Sequence, residues 1–120
     1  MRQWSLHTEM LYHQLKEDIH QSSTIYILSA FMMKSGVELI FDDLQYALDR
    51  GADLKILTGD YLYVTQPNAL ETLLDLNGDQ LELRMWRSEG VAFHPKTYIF
   101  NHQKHGAIIV GSSNLSRSAL

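Results

Sequence analysis

Two short stretches of this 120-residue chain hold residue types that could do chemistry together: Phe93-His94-Pro95-Lys96-Thr97-Tyr98-Ile99-Phe100 and Val110-Gly111-Ser112-Ser113-Asn114-Leu115. His94 and Lys96 stand two apart at the start of a β-branched, aromatic run that reads as a strand, and side chains two apart on a strand point to the same face. Ser112 and Asn114 follow the next apolar run, Ala107 to Val110, which reads as the second strand of a hairpin. Pairing of the two strands brings imidazole, ammonium, hydroxyl and carboxamide to one place. Gly111 permits a close backbone approach at the turn.

That set suits a phosphodiester. A phosphoryl centre in flight needs its non-bridging oxygens held by cations and hydrogen-bond donors. Lys96 supplies the cation, and Ser112 and Asn114 supply neutral donors. An unprotonated His94 nitrogen can attack phosphorus, and its ordinary pKa lies near working pH. No metal is needed in this scheme, and the nearby sequence offers no carboxylate cluster to hold Mg²⁺. A lone H-x-K means nothing by itself. Followed by G-S-x-N at the end of the next strand, it is specific.

The pattern resembles the phospholipase D superfamily, whose signature is H-x-K-x4-D followed by G-S-x-N. The resemblance extends to Ala30-Phe31, Ser35-Gly36, the helix ending in Arg50-Gly51, Ile56-Leu57-Thr58-Gly59 and Phe93-His94-Pro95-Lys96, and covers residues 24 to 120. It is to the branch of single-motif nuclease domains found in bacterial restriction endonucleases and N-terminal to DEAD/DEAH-type helicases. It implies a covalent phosphohistidine with His94 as nucleophile. A second His94 from another subunit is the acid that protonates the leaving group. Lys96 and Asn114 bind phosphate oxygens, and Ser112 supports them. One motif per chain implies a homodimer with the active site on its two-fold axis.

Two departures from the family pattern bear on activity. Five residues after Lys96, where the motif has an aspartate with a structural hydrogen-bonding role, this chain has Asn101. Members of the family orient the histidine with a carboxylate from beyond the point where this sequence ends, so this chain alone is expected to be weakly active or inactive.

The elements that must position these residues are legible as an α/β pattern: a mixed, largely parallel sheet flanked by helices, one domain over 1–120 with an N-terminal helix in 1–22 and an α/β core in 24–120. Trp4, Leu11, Leu15 and Ile19 mark one face of a helix over residues 4 to about 20. Thr24 to Phe31 reads as a strand buried on both faces. Ser35 and Glu38 make a capping box, followed by Val37, Ile40, Phe41, Leu44, Ala47 and Leu48 at helical spacing, with Gly51 as the stop. Ala52 to Thr58 is a second strand, parallel to the first through the helix. Thr65 and Pro67 open a third helix, with Ala69, Leu70, Leu73 and Leu74 facing in and Asn77-Gly78 ending it. Leu81 to Trp86, Lys96 to Phe100 and Ala107 to Val110 complete the sheet. Ser113 to Leu120 begins to look like a further helix, so the domain is expected to continue past this sequence.

Composition narrows the partners. Hydrophobic residues make up 45% and charged residues 20%, a globular balance, and the absence of cysteine excludes disulfides and thiolate metal sites. No signal peptide or membrane-length apolar run is present, so a cytoplasmic location is expected. The net charge is −4, yet it is polarised: residues 84 to 120 carry +4, from Arg84, Arg87, Lys96, Lys104 and Arg117 against Glu89, and residues 1 to 83 carry −8. The basic third holds the motif, so Arg84 and Arg87, with Gly111 and Ser113, are candidate substrate contacts. The reading of these arginines as ordinary surface charges is the stronger of the two. Tyr61 and Tyr63 could stack on bases or simply pack. His13 with His20, and His102 with His105, are histidine pairs without a third ligand, so no metal or other cofactor is expected.

The expected partner is thus DNA or another nucleic-acid phosphodiester, together with a helicase or restriction subunit and a second copy of the chain. A lipid substrate is disfavoured by the lack of an interfacial apolar helix. The alternative to a nuclease is a degenerate, non-catalytic module that binds nucleic acid or recruits a helicase or restriction component. Asn101 and the early end of the sequence motivate that alternative.

Overall fold

The computed structural model describes residues 11–29, 32–59, 67–86, 96–102 and 106–110. They form three helices and five strands in the order α1 (Leu11–Gln21), β1 (Thr24–Ser29), α2 (Lys34–Asp49), β2 (Asp53–Gly59), α3 (Pro67–Leu74), β3 (Leu81–Trp86), β4 (Lys96–Asn101) and β5 (Gly106–Val110). The strands make one mixed sheet in the order β3-β2-β1-β4-β5. β1, β2 and β3 are mutually parallel. β4 runs antiparallel beside β1, and β5 antiparallel beside β4.

The core lies on one face of this sheet. Ile25 and Ile27 of β1, Leu54 and Ile56 of β2, and Tyr98 and Phe100 of β4 point into it. There they meet Leu15 and Ile19 of α1, Val37, Ile40, Leu44, Ala47 and Leu48 of α2, and Ala69 and Leu73 of α3. The spacing of those helical residues gives each helix a single apolar stripe, and the three stripes share one sheet face. β1 therefore alternates between buried and half-buried residues. The continuous apolar run had suggested burial on both faces. Among the described residues, the second face carries the half-buried Tyr26, Leu28, Leu57 and Ile99 and the exposed Ile108.

Local chemistry explains the ends of the helices. α2 starts at Lys34 with Met33 as its N-cap and has no side-chain cap hydrogen bond. The expected Ser35–Glu38 capping box is not formed, because Ser35 lies inside the first turn rather than at the N-cap. Glu38 instead faces Lys34 at 3.6 Å, one turn away. The C-terminus follows expectation. Gly51 adopts φ +92, where a Cβ would be strained. The N–H groups of Gly51 and Ala52 bond back to the carbonyls of Leu48 and Ala47 at 3.0 and 2.9 Å, the two closures of a Schellman motif.

α3 ends at Leu74, three residues before the expected Asn77-Gly78 stop, and Leu74 is exposed rather than facing in. Leu76 takes the buried position instead. The backbone of Asn77 is then captured by the Gln45 amide, which donates to its carbonyl at 2.9 Å and accepts from its N–H at 3.0 Å. No helix among the described residues is long and apolar enough to cross a membrane.

Candidate functional site

The register of the sheet decides where a site can be. β1, β2 and β3 all end at one edge, with Ser29 beside Thr58 and Gly59 beside Trp86. β4 begins at the same edge, the backbone of Lys96 paired with Ser29. β5 ends there too, Val110 paired with Thr97. The chain that enters β4 and the chain that leaves β5 therefore meet the sheet at one edge, on adjacent strands. This is also the edge where the parallel strands present their carboxyl ends, the usual location of ligand sites in open α/β sheets.

The buried face of the sheet changes character as it nears this edge. Its inner rows are aliphatic and aromatic: Leu54, Ile25 and Phe100, then Ile56, Ile27 and Tyr98. Its last row is polar. Ser29 and Thr58 are fully buried side by side, each engaged by a partner. Sequence reasoning assigned these two hydroxyls no role. Their signal was that each parallel strand closes an apolar run on a hydroxyl residue, Ile27-Leu28-Ser29 and Ile56-Leu57-Thr58.

Of the residues singled out for chemistry, His94, Ser112 and Asn114 lie outside the described residues, as do the candidate substrate contacts Arg87, Gly111 and Ser113. For Lys96 the structure describes the backbone, which opens β4 at the edge just defined. Tyr61, Tyr63 and His105 also fall outside the described residues. Arg84 is exposed on β3 and ion-paired with Glu82. It lines a groove of about 250 Å³ with Tyr26, Leu28, Lys55 and Leu57, on the sheet face opposite the helices. Among the described residues no group of three His, Cys, Asp or Glu side chains could hold a metal ion.

Asn101 closes β4 at the far edge of the sheet, roughly 17 Å from Lys96 at the usual rise per strand residue. Its side chain is exposed, and its carbonyl accepts from the Ser23 N–H at 2.8 Å and the Ser23 hydroxyl at 3.1 Å. The Asn101 position thus serves the start of β1, not the end where the strands converge.

Two further polar features sit in the interior. Asp43 of α2 is buried at the seam with α1. One carboxylate oxygen accepts from the Tyr12 hydroxyl at 3.0 Å, and the other lies 2.8 Å from His20 Nε2. Burial, followed by the Asp43 contact, raises the Tyr12 pKa. The His20 ring stacks on Tyr46 at 4.5 Å between centroids. This cluster was not anticipated. The spacing in α1 suggests His13 as the neighbour of His20, but His13 is exposed and lies tilted against Tyr12.

The second feature is Tyr98 of β4. It is 1% exposed, and its hydroxyl makes no hydrogen bond. Burial pushes its pKa up to about 12.

Comparison with known proteins agrees with this architecture. Residues 15–120 match the family model described as the PLD-like domain of cardiolipin synthase. No curated protein matches. Among solved structures the chain is similar to NucT from Helicobacter pylori at TM-score 0.66 and 14% identity, over 90% of this chain and 69% of that one. An archaeal chromatin protein, TrmBL2, is a weaker likeness at TM-score 0.45 and 21% identity, over 74% of this chain and 32% of that one. With a family model spanning nearly the whole chain and a five-stranded mixed sheet of matching fold, the chain belongs to the phospholipase D superfamily.

Proposed function

We propose that this chain is a metal-independent phosphodiesterase acting on DNA. His94 attacks phosphorus through an unprotonated ring nitrogen, and the bond to the leaving oxygen breaks. A second His94, from the other copy in a homodimer, gives that oxygen its proton. Water then attacks the phosphohistidine and gives its proton to the second His94, the P–N bond breaks, and both histidines are regenerated. Lys96 and Asn114 hold non-bridging oxygens through the sequence of steps, with Ser112 beside them.

One observation carries this reading: β4 starts and β5 ends on adjacent strands at the same edge of the sheet. Adjacent strands lie about 4.8 Å apart, and a chain extends at most about 3.6 Å per residue. His94 is two residues before Lys96, and Ser112 two after Val110, so connectivity alone keeps both near that edge. A parallel crossover between β4 and β5 would have sent them to different ends of the sheet.

Asn101 supports catalysis over the degenerate-module alternative, because the exchanged position lies at the far edge. Arg84, Arg87 and the backbone of Gly111 and Ser113 are the proposed contacts to the flanking nucleic acid, with a helicase or restriction subunit as the proposed protein partner.

The test is cleavage of plasmid and oligonucleotide substrates in EDTA. Turnover should survive chelation and fall by about a thousandfold or more in His94→Ala, the scale seen when a covalent nucleophile is removed. Loss of turnover on chelation, or its retention in His94→Ala, would falsify the mechanism. Salt-dependent DNA binding with no turnover and no phosphorylated His94 detectable by mass spectrometry would favour the non-catalytic module. Release of phosphatidic acid from phospholipid would move the substrate from nucleic acid to lipid.

A further inference from the structure

Tyr98 has no packing reason to be a tyrosine. Its register partners are Ile27 on β1 and Ile109 on β5. Two residues along the same strand and on the same face, Phe100 fills the core with a ring that carries no hydroxyl. A buried hydroxyl without a partner destabilises the fold relative to the phenylalanine that would fill the same space. Native interiors leave few such groups, and each one calls for an explanation.

The other buried hydroxyls near this end of the sheet, Ser29 and Thr58, both have partners. The exception stands one row beneath them, two residues inside Lys96 and so about 7 Å from the edge where the strands converge. Its phenol is held neutral across the physiological range, so it is available as a donor.

We propose that Tyr98 is a positioning residue of the phosphodiester site, its hydroxyl a hydrogen-bond donor that gains an acceptor only when a phosphate group is held at this edge of the sheet. The inference rests on the functional reading above. The hydrogen bond therefore forms in the loaded protein and not in the free one. An interaction made only in the bound state raises turnover at the expense of stability in the free protein.

Tyr98→Phe tests this because the two effects have opposite signs. The variant should unfold at the same temperature as wild type or higher. Its kcat for oligonucleotide cleavage should fall by about tenfold with KM within about twofold, the scale of one lost hydrogen bond. A variant that is equally active, or one that is less stable, overturns the proposal: the first shows an idle hydroxyl, the second a hydroxyl already partnered.

A second measurement separates this from the functional reading. With tyrosine labelled by ¹³C at Cζ, the Tyr98 resonance, identified by its absence in Tyr98→Phe, should move when inorganic phosphate or orthovanadate is added. Wild-type protein that cleaves nothing sinks the assignment of function, and the Cζ signal then still decides Tyr98. A resonance that stays still up to the solubility limit of both anions rejects the positioning role.

Discussion

The seam between α1 and α2 and the inner end of β4 solve the same problem in opposite ways. Each places a polar group in the apolar layer between helices and sheet. At the seam the Asp43 carboxylate receives two side-chain contacts, from Tyr12 and His20, and both come from one helix. The carboxylate is a clamp whose partners were supplied in advance by α1. At β4 the Tyr98 hydroxyl is as deeply buried and has nothing to bond. A polar group serving the fold alone is expected to look like Asp43. The contrast marks β4 as the place where the interior is not optimised for stability, and β4 is also the strand that delivers Lys96 to the converging edge.

The largest effect on stability should come from removing the satisfied group. Asp43→Ala leaves Tyr12 and His20 without their shared acceptor and opens a small hole between α1 and α2. A loss of about 3 kcal/mol in denaturant unfolding is expected, within the range for breaking a buried hydrogen-bonded carboxylate. Cleavage per folded molecule should be unchanged, since the seam lies in the helix layer. A change in kcat at full folding would erase the division between the two regions.

Much of this architecture was legible because its signals are local. The periodicity of Val37, Ile40, Leu44 and Leu48 needed only α2 itself, and Gly51 announced its own left-handed turn. The strand positions followed from β-branched runs, and the β4–β5 hairpin from its short polar loop. What stayed hidden depended on distant partners. Asp43 and His20 are 23 residues apart, and nothing in either segment names the other. Leu74 was assigned to the core by helical spacing, and it lost that place to Leu76 because the chain turns out of α3 toward Gln45. The Ser35–Glu38 pattern fits a capping box, but α2 starts two residues too early for it to close. The site itself was read through motif chemistry and an expected β4–β5 hairpin, and the sheet register adds which edge that hairpin serves: β4 opens and β5 closes where β1, β2 and β3 end.

A smaller effect should appear at Tyr98 in alkali. Its folded pKa of about 12 lies above the ordinary value of 10.0. The neutral phenol's contribution to stability is therefore fully present below pH 10 and is lost as pH rises through 12. Over that window wild type should lose about 2 to 3 kcal/mol relative to Tyr98→Phe, at 1.36 kcal/mol for each pKa unit. Urea unfolding of both proteins at several pH values between 9 and 12 measures it. Parallel decline of the two would mean that the phenol is solvated before the fold opens.

The smallest effect sharpens the seam. Tyr12→Phe removes one of two contacts to Asp43 while leaving His20 in place, and Tyr12 is only partly buried. The expected loss is about 1 kcal/mol, the net value of one hydrogen bond to a charged acceptor that water can partly replace. Combined with Asp43→Ala, the Tyr12 substitution should cost almost nothing further, because its acceptor is already gone. Tyr98→Phe in the same background should instead add its own increment unchanged, since Tyr98 makes no bond to the seam. A double-mutant cycle that found Tyr98 coupled to Asp43 would join the two regions into one network. Tyr98 would then be an element of the fold's clamp rather than a donor kept for the loaded site.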